Sequence, residues 1–141
     1  MYNEIVEQLK HEIGESAISA ASFPRNRRVF IVISHNRLRE VIMFLKKNGF
    51  SHLSAITGTQ TNNNLIEILY HLDRAGTLVT VRLVLPQNDD SISTITDIIL
   101  GASLYEREIH DLFGVKFEGH PQLSRLILPD EWKNDSFPLR N

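Results

Sequence analysis

Three acids and a histidine fall within six residues, at Glu106, Glu108, His110 and Asp111, and a second histidine, His120, follows ten positions later. Side chains of these types do two kinds of chemistry when they converge: proton transfer between carboxyl and imidazole, and ligation of a divalent metal. Spacing tests convergence. On a helix Glu106 and His110 stand four apart, as do Arg107 and Asp111, so each pair can meet, but on different sides of the helix. The pattern favours charge pairing on a surface, within the chain or across to another, over a reaction centre. No catalytic, cofactor-binding or metal-ligating residue is assigned. His120, just before Pro121, suits a turn-stabilising hydrogen bond.

Other chemistries are excluded more simply. The chain has no cysteine, which removes disulfides, thiolate nucleophiles, cysteine zinc sites and iron–sulfur clusters held by thiolates. It contains no GxSxG, GxGxxG or P-loop sequence, so no nucleophile elbow or phosphate cradle is expected. His11, His35, His52 and His71 fall on separate expected elements and define no site. Fifteen basic against 17 acidic side chains give a formal charge of −2, with no general pull toward nucleic acid or anionic lipid. The cluster Arg25–Arg28 is the one candidate for gripping phosphate, and a solvated strand entry is the favoured reading of it.

The elements that would position these residues follow from periodicity. At 141 residues the chain suits one core that needs no metal or disulfide. Ile5, Val6, Leu9 and Ile13 recur at helical spacing, and the helix stops near Gly14. Val29–Ser34 is a β-branched run that reads as a buried strand. Leu38, Val41, Ile42 and Leu45 make the stripe of a second helix that ends at Lys46-Lys47-Asn48-Gly49, and Phe50–Thr57 returns as a strand. Gly58–Asn64 reads as a polar turn. Ile66, Ile68, Tyr70 and Leu72 alternate, as do Val79, Val81, Leu83 and Leu85 across the turn Asp73-Arg74-Ala75-Gly76, so this is a hairpin with one buried side. Thr94–Leu100 and Ala102–Phe113 read as helical, and in the second Leu104, Ile109, Leu112 and Phe113 can face the sheet. Gly114 suits the left-handed residue that closes a helix, and Gly119 a sharp turn before Pro121. The expected class is α+β: a mostly antiparallel four-stranded sheet with helices on one face and an extended C-terminal tail.

That tail runs from Val115 to Asn141, beyond a domain of residues 1–114. Pro121, Pro129 and Pro138 argue against a long helix or a central strand in it. Its Phe117, Leu123, Leu126, Ile127, Leu128, Trp132, Phe137 and Leu139 are too apolar for a solvated linker. Two accounts remain: the tail wraps its own sheet, or it lays its anchors on a partner protein. Trp132 with Arg125 and Arg140 is an interface-like composition.

The run Glu106-Arg107-Glu108 … Asp111-Leu112-Phe113-Gly114-Val115 … Phe117 … Gly119-His120-Pro121 … Leu123 … Arg125-Leu126 … Leu128, with Pro129-Asp130-Glu131-Trp132 and Pro138-Leu139-Arg140 after it, resembles the signature of the 30 kDa subunit of respiratory complex I, NADH:quinone oxidoreductase. The family includes the related subunit of membrane-bound energy-converting nickel–iron hydrogenases. The resemblance implies a subunit without an active site or cofactor of its own, in the peripheral arm of a membrane-bound oxidoreductase concerned with electron transport and ion translocation. It implies as partners a 49 kDa-like, hydrogenase-large-like subunit and iron–sulfur subunits, and a cytoplasmic location peripheral to the membrane through the complex. The residues it assigns to partner binding are Glu106, Arg107, Glu108, Asp111, Phe113, Gly114, Gly119, His120, Pro121, Leu123, Arg125, Leu128, Trp132, Pro138, Leu139 and Arg140. The alternative from the residues alone is a free-standing α+β module that binds or modifies a small ligand, with the tail as its lid; a nucleic-acid binder using Arg25–Arg28 is the weakest reading.

Overall fold

The computed structural model describes residues 3–99 and 101–121. Its centre is a hairpin of two long strands, here β4 (Ile66–Arg74) and β5 (Thr77–Val84). Alternation decides their geometry: Ile66, Ile68, Tyr70, Leu72, Val79, Val81 and Leu83 are buried on one face, while Glu67, Leu69, His71 and Arg82 on the other stay half-exposed. The hairpin closes through Ala75 and Gly76, both at positive φ (49° and 89°), the backbone that matches the twist of the flanking strands.

Around this hairpin the sheet has five strands in the order β1-β2-β5-β4-β3, with β1 at Ile18–Arg25, β2 at Arg28–Ile33 and β3 at His52–Gln60. β1/β2, β3/β4 and β4/β5 pair antiparallel, and β2 runs parallel to β5 with Ile31 opposite Val81. The α+β class and the antiparallel preference hold, but the expected count of four strands is corrected to five in a mixed sheet. The missing strand is β1 (Ile18–Arg25), in a stretch where periodicity marks no element. Of its residues only Ile18 is buried, so it carries no alternation that a pattern could show. The Arg25–Arg28 cluster forms the β1–β2 turn. Arg27 Nη2 donates to the Ala75 carbonyl (2.5 Å) and Arg28 Nη1 to that of Gly76 (3.2 Å), tying two hairpin turns together.

One face of the sheet is covered by α1 (Asn3–Ile13), α2 (Leu38–Lys47) and α3 (Ala102–Phe113). The helix expected over Thr94–Leu100 is not formed. Ile95, Ile98 and Ile99 are buried at helical spacing, yet a single turn achieves this, with the Ile98 and Ile99 amides bonded to the Ile95 carbonyl at 3.0 and 2.8 Å. That turn follows β6 (Ser91–Ser93), which pairs in parallel with β7 (Lys116–Glu118) in a separate two-stranded sheet. β7 lies beyond the boundary drawn at Gly114, and Val115 and Phe117 are buried in the core. No helix among the described residues is long and apolar enough to cross a membrane.

Candidate functional site

Four positions of α3, Ala102, Glu106, Ile109 and Phe113, are spaced by four, three and four residues and share the stripe that faces the sheet. All four are buried, as is Asp111. The helix lies directly on β3 at Gly58, where a Cβ would stand 2.9 Å from Phe113 Cε2 and 3.1 Å from Ile109 Cδ1. Gly58 is thus a seat for α3 inside a strand, not the turn residue expected from sequence. At this same C-terminal end α3 closes as expected on Gly114, left-handed at φ 78°, whose N–H donates to the His110 carbonyl (2.9 Å).

Glu106 brings a carboxyl into this interior with no exposed surface. Two groups from the turn after β6 meet it: the Thr94 hydroxyl donates to Oε1 (2.5 Å) and the Ile95 amide to Oε2 (2.9 Å). Burial raises the pKa of this carboxyl from its ordinary value to about 7, and the nearby charge of Asp97 adds to the rise, against the two hydrogen bonds, which favour the ionised form. Thr94 is itself held by Thr96, whose hydroxyl lies 2.9 Å away and whose amide donates to Thr94 Oγ1 (3.1 Å). The hydroxyl of Tyr70, from β4, is buried with no hydrogen-bond partner among the described residues. Burial and the charge of Glu106 hold this phenol well above its ordinary pKa.

His120 completes the cluster from the chain that leaves β7. Its side chain is wholly buried and its Nε2 lies 3.9 Å from Glu106 Oε1. The Nε2–H donates to the Ser103 carbonyl in the first turn of α3 (3.1 Å), and the His120 amide donates to the Phe117 carbonyl (3.1 Å). The turn itself is bonded by the His120 amide, and the imidazole serves instead as a tie between the chain's exit after β7 and the start of the helix.

The charged run thus divides. Glu106 turns inward to Thr94 and Ile95 instead of pairing with His110 on the surface, and His110 Nδ1 donates to the Val115 carbonyl (2.9 Å). Asp111 is buried, so its pairing is not made on an exposed face. Arg107 and Glu108 are half-exposed. Leu104, expected to face the sheet, is 57% exposed, because the stripe through Ala102 and Glu106 places it on the outer side. Phe113 is in the core, and Gly119 and Pro121 lie at the exposed exit. Leu123, Arg125, Leu128, Trp132, Pro138, Leu139 and Arg140 lie outside the described residues.

Sequence reasoning missed Tyr70, Thr94, Ser103 and Gly58 as partners of the signature helix. Its one available signal was the position of Glu106 within an otherwise apolar stripe. Among the described residues no three His, Asp or Glu side chains converge as metal ligands would. A surface cleft of about 400 Å³ is lined by Gln60, Asn64, Ile66, Pro86 and Asp90, away from the Glu106 cluster.

Comparison with known proteins places this geometry in a wider setting. A family model described as the 30 Kd subunit of respiratory-chain NADH dehydrogenase matches residues 31–141. The C/D subunit of the NADH-quinone oxidoreductase of Acinetobacter baumannii is 32% identical over 149 residues; the match covers 96% of this chain but spans 24% of that relative's length. The corresponding relative from the F(420)H(2) dehydrogenase of Methanosarcina mazei, its C subunit, is 31% identical, over 96% of this chain and 87% of that one. A chain in the structure of the membrane-bound sulfane sulfur reductase, an archaeal respiratory membrane complex, superposes with a TM-score of 0.85 at 27% identity, covering 99% of this chain and 83% of that chain. The trypsin-resistant fragment (1–134) of Nqo5 superposes at 0.69 with 26% identity, covering 86% and 98%.

Proposed function

The chain belongs to the family of the 30 kDa subunit of respiratory-chain NADH dehydrogenase, and from that premise we propose that it is a non-catalytic assembly subunit in the peripheral arm of a membrane-bound oxidoreductase. The complex is of the NADH:quinone oxidoreductase type or a related hydrogenase. The partners in this reading are a 49 kDa-like large subunit and the iron–sulfur subunits beside it.

One observation carries the proposal. The named relatives belong to an NADH-quinone oxidoreductase, an F(420)H(2) dehydrogenase and a sulfane sulfur reductase complex. A module that persists while the redox couple changes is one that holds other subunits, not one that handles the reacting molecule. The chain's chemistry agrees: with no cysteine it supplies no thiolate to an iron–sulfur cluster, and the electrons pass through its neighbours. The proposed docking surface is the outward side of α3 at Leu104, Arg107 and Glu108, with Pro121; the proposed partner-binding residues also include Leu123, Arg125, Leu128, Trp132, Pro138, Leu139 and Arg140, which lie outside the described residues. An exposed Leu beside Ser103, which holds His120 at the chain's exit, is the type of anchor an interface buries. Gly119 lies beside Pro121 at the exposed exit, and Glu106, Asp111, Phe113, Gly114 and His120 support the surface from within.

The test is assembly. Leu104→Asp and Arg107→Ala, each in an affinity-tagged full chain expressed in its native cell, are expected to reduce the large subunit recovered with the chain. Because both positions are at least partly exposed, the isolated variants should melt within about 2 °C of the parent, as surface changes cost about 0.5 kcal/mol or less. Normal recovery of the large subunit with both variants would overturn the docking assignment.

A further inference from the structure

We propose that Glu106, Thr94 and His120 form a buried, proton-operated latch that joins the turn after β6 and the exit after β7 to the start of α3. The inference stands apart from the docking surface and needs no partner.

Its basis is that Glu106 keeps both of its own hydrogen bonds, to Thr94 and to Ile95, with the carboxyl in either protonation state. Ionised, Glu106 accepts from the Thr94 hydroxyl at Oε1 and from the Ile95 amide at Oε2. Protonated at Oε1, it donates back to Thr94 Oγ1. The Thr94 hydrogen then swings to Thr96 Oγ1 at 2.9 Å, while Oε2 keeps the Ile95 amide. Thr94 Oγ1 has the second lone pair needed to keep the Thr96 amide as well. Two hydroxyl rotations accommodate the proton: that of Thr94 toward Thr96 Oγ1, and that of Thr96 away from Thr94. A buried carboxyl with only donors around it would be locked as the anion, and one with only acceptors as the acid.

The groups that face Glu106 come from every element packed against it. Tyr70 of β4 presents a phenol, and the turn after β6 presents Asp97, whose negative charge is paired by Arg39 of α2 at 2.7 Å, the same guanidinium donating to the Thr94 carbonyl (2.8 Å); His120 presents an imidazole N–H at 3.9 Å. Thr94 and Ser103 add neutral polar atoms, the latter a carbonyl that accepts from His120. The anion has the imidazole near it but must be desolvated. The acid avoids that cost.

The sign of the linkage follows. The folded carboxyl titrates at about 7, above its ordinary value of 4.5, so the closed corner binds the proton more tightly than an opened one. Closure is strongest below pH 4.5. It weakens tenfold per pH unit up to about 7 and is level beyond, a total change of a few hundred-fold.

The experiment uses the full chain labelled with ¹³C and ¹⁵N. The Glu106 carboxyl is followed by NMR from pH 4 to 8, and amide-exchange protection, corrected for intrinsic rates, is measured at Ile95, Thr96 and His120. The expected result is a carboxyl inflection near 7 and a loss of protection at these amides between pH 4.5 and 7, larger than at the amides of Ile68 and Val81 in the central hairpin. Thr94→Val removes a donor to the anion and should move the inflection upward. Glu106→Gln, which presents the same donor and acceptor as the acid, should remove the pH-dependent loss. An inflection in the ordinary carboxylate range, an unmoved inflection in Thr94→Val, or equal loss of protection in the central hairpin would each overturn the latch.

Discussion

Gly58→Ala tests whether the seat of α3 is as tight as the geometry states. The new methyl would lie 2.9 Å from Phe113 Cε2, 3.1 Å from Ile109 Cδ1 and 3.2 Å from Phe113 Cδ2, against an ordinary contact range of 3.4–4 Å. Phe113 and Ile109 are each only 3% exposed, so neither can swing into solvent, and the helix itself must yield. Overpacking of this kind costs about 1–3 kcal/mol. Alanine restricts the unfolded chain and returns about 0.4–1 kcal/mol. Taken at their midpoints these leave a net destabilisation of about 1.3 kcal/mol, or a Tm lower by roughly 4–5 °C for a chain of this size, read by thermal denaturation followed by circular dichroism. A second variant separates this cause from a general intolerance of side chains in β3. In Gly58→Ala combined with Phe113→Leu, removing ring atoms relieves the clash, so the pair should be less destabilised than the sum of the single changes by more than about 0.5 kcal/mol. A Gly58→Ala protein as stable as the parent, or strictly additive effects in the double variant, would refute the packing argument.

Two further outcomes follow from polar side chains of the central hairpin. Tyr70→Phe removes a hydroxyl that has no hydrogen-bond partner among the described residues, so stability in urea should be unchanged or rise by up to about 1 kcal/mol; a loss above that figure would show that the hydroxyl is bonded after all. His71 is held between Thr57 Oγ1 and Thr80 Oγ1, each at 3.2 Å, and burial lowers its pKa below the ordinary 6.5. A lowered folded pKa gives stability that is present above pH 6.5 and lost as the pH falls below it, opposite in slope to the effect of Glu106. In a Glu106→Gln background His71→Gln should therefore flatten the acid-side fall in urea midpoint between pH 6.5 and 5. An identical fall with and without His71 would place its cause elsewhere.

What could be read before the structure depended on whether burial leaves a local trace. The β4–β5 hairpin was legible because a sheet with one covered face forces alternation along Ile66–Leu72 and, Thr80 apart, along Val79–Leu83. The stripe of α2 and the cap at Gly114 were legible for the same reason. β1 was not, since a strand that buries only Ile18 is under no such pressure. The turn at Ile95–Ile99 misled because one turn and a full helix put the same spacing of isoleucines into the core. Glu106 was misplaced on the strength of its residue type, and its helical phase, shared with Ala102, Ile109 and Phe113, was the better guide. The groups that make its burial tolerable, Thr94 and Ile95, lie 12 and 11 residues upstream, beyond the reach of any helix or strand period.

The division of the signature helix follows from that phase. Gly58 fixes which side of α3 meets the sheet, because only there does the strand leave room for Phe113 and Ile109. With that side fixed, Glu106 and Asp111 point inward and Leu104, Arg107 and Glu108 keep contact with the outside. A single charged run is therefore divided: its inward members must answer to the cost of burial, and its outward members, half-exposed, are the ones proposed to meet a neighbour. Substitutions at 106 should register first in stability and its pH dependence, and those at 104 and 107 first in assembly. That separation is the physical content of the fold for this family member: the same helix that closes the core also presents, one residue away at each step, the surface proposed to hold the complex together.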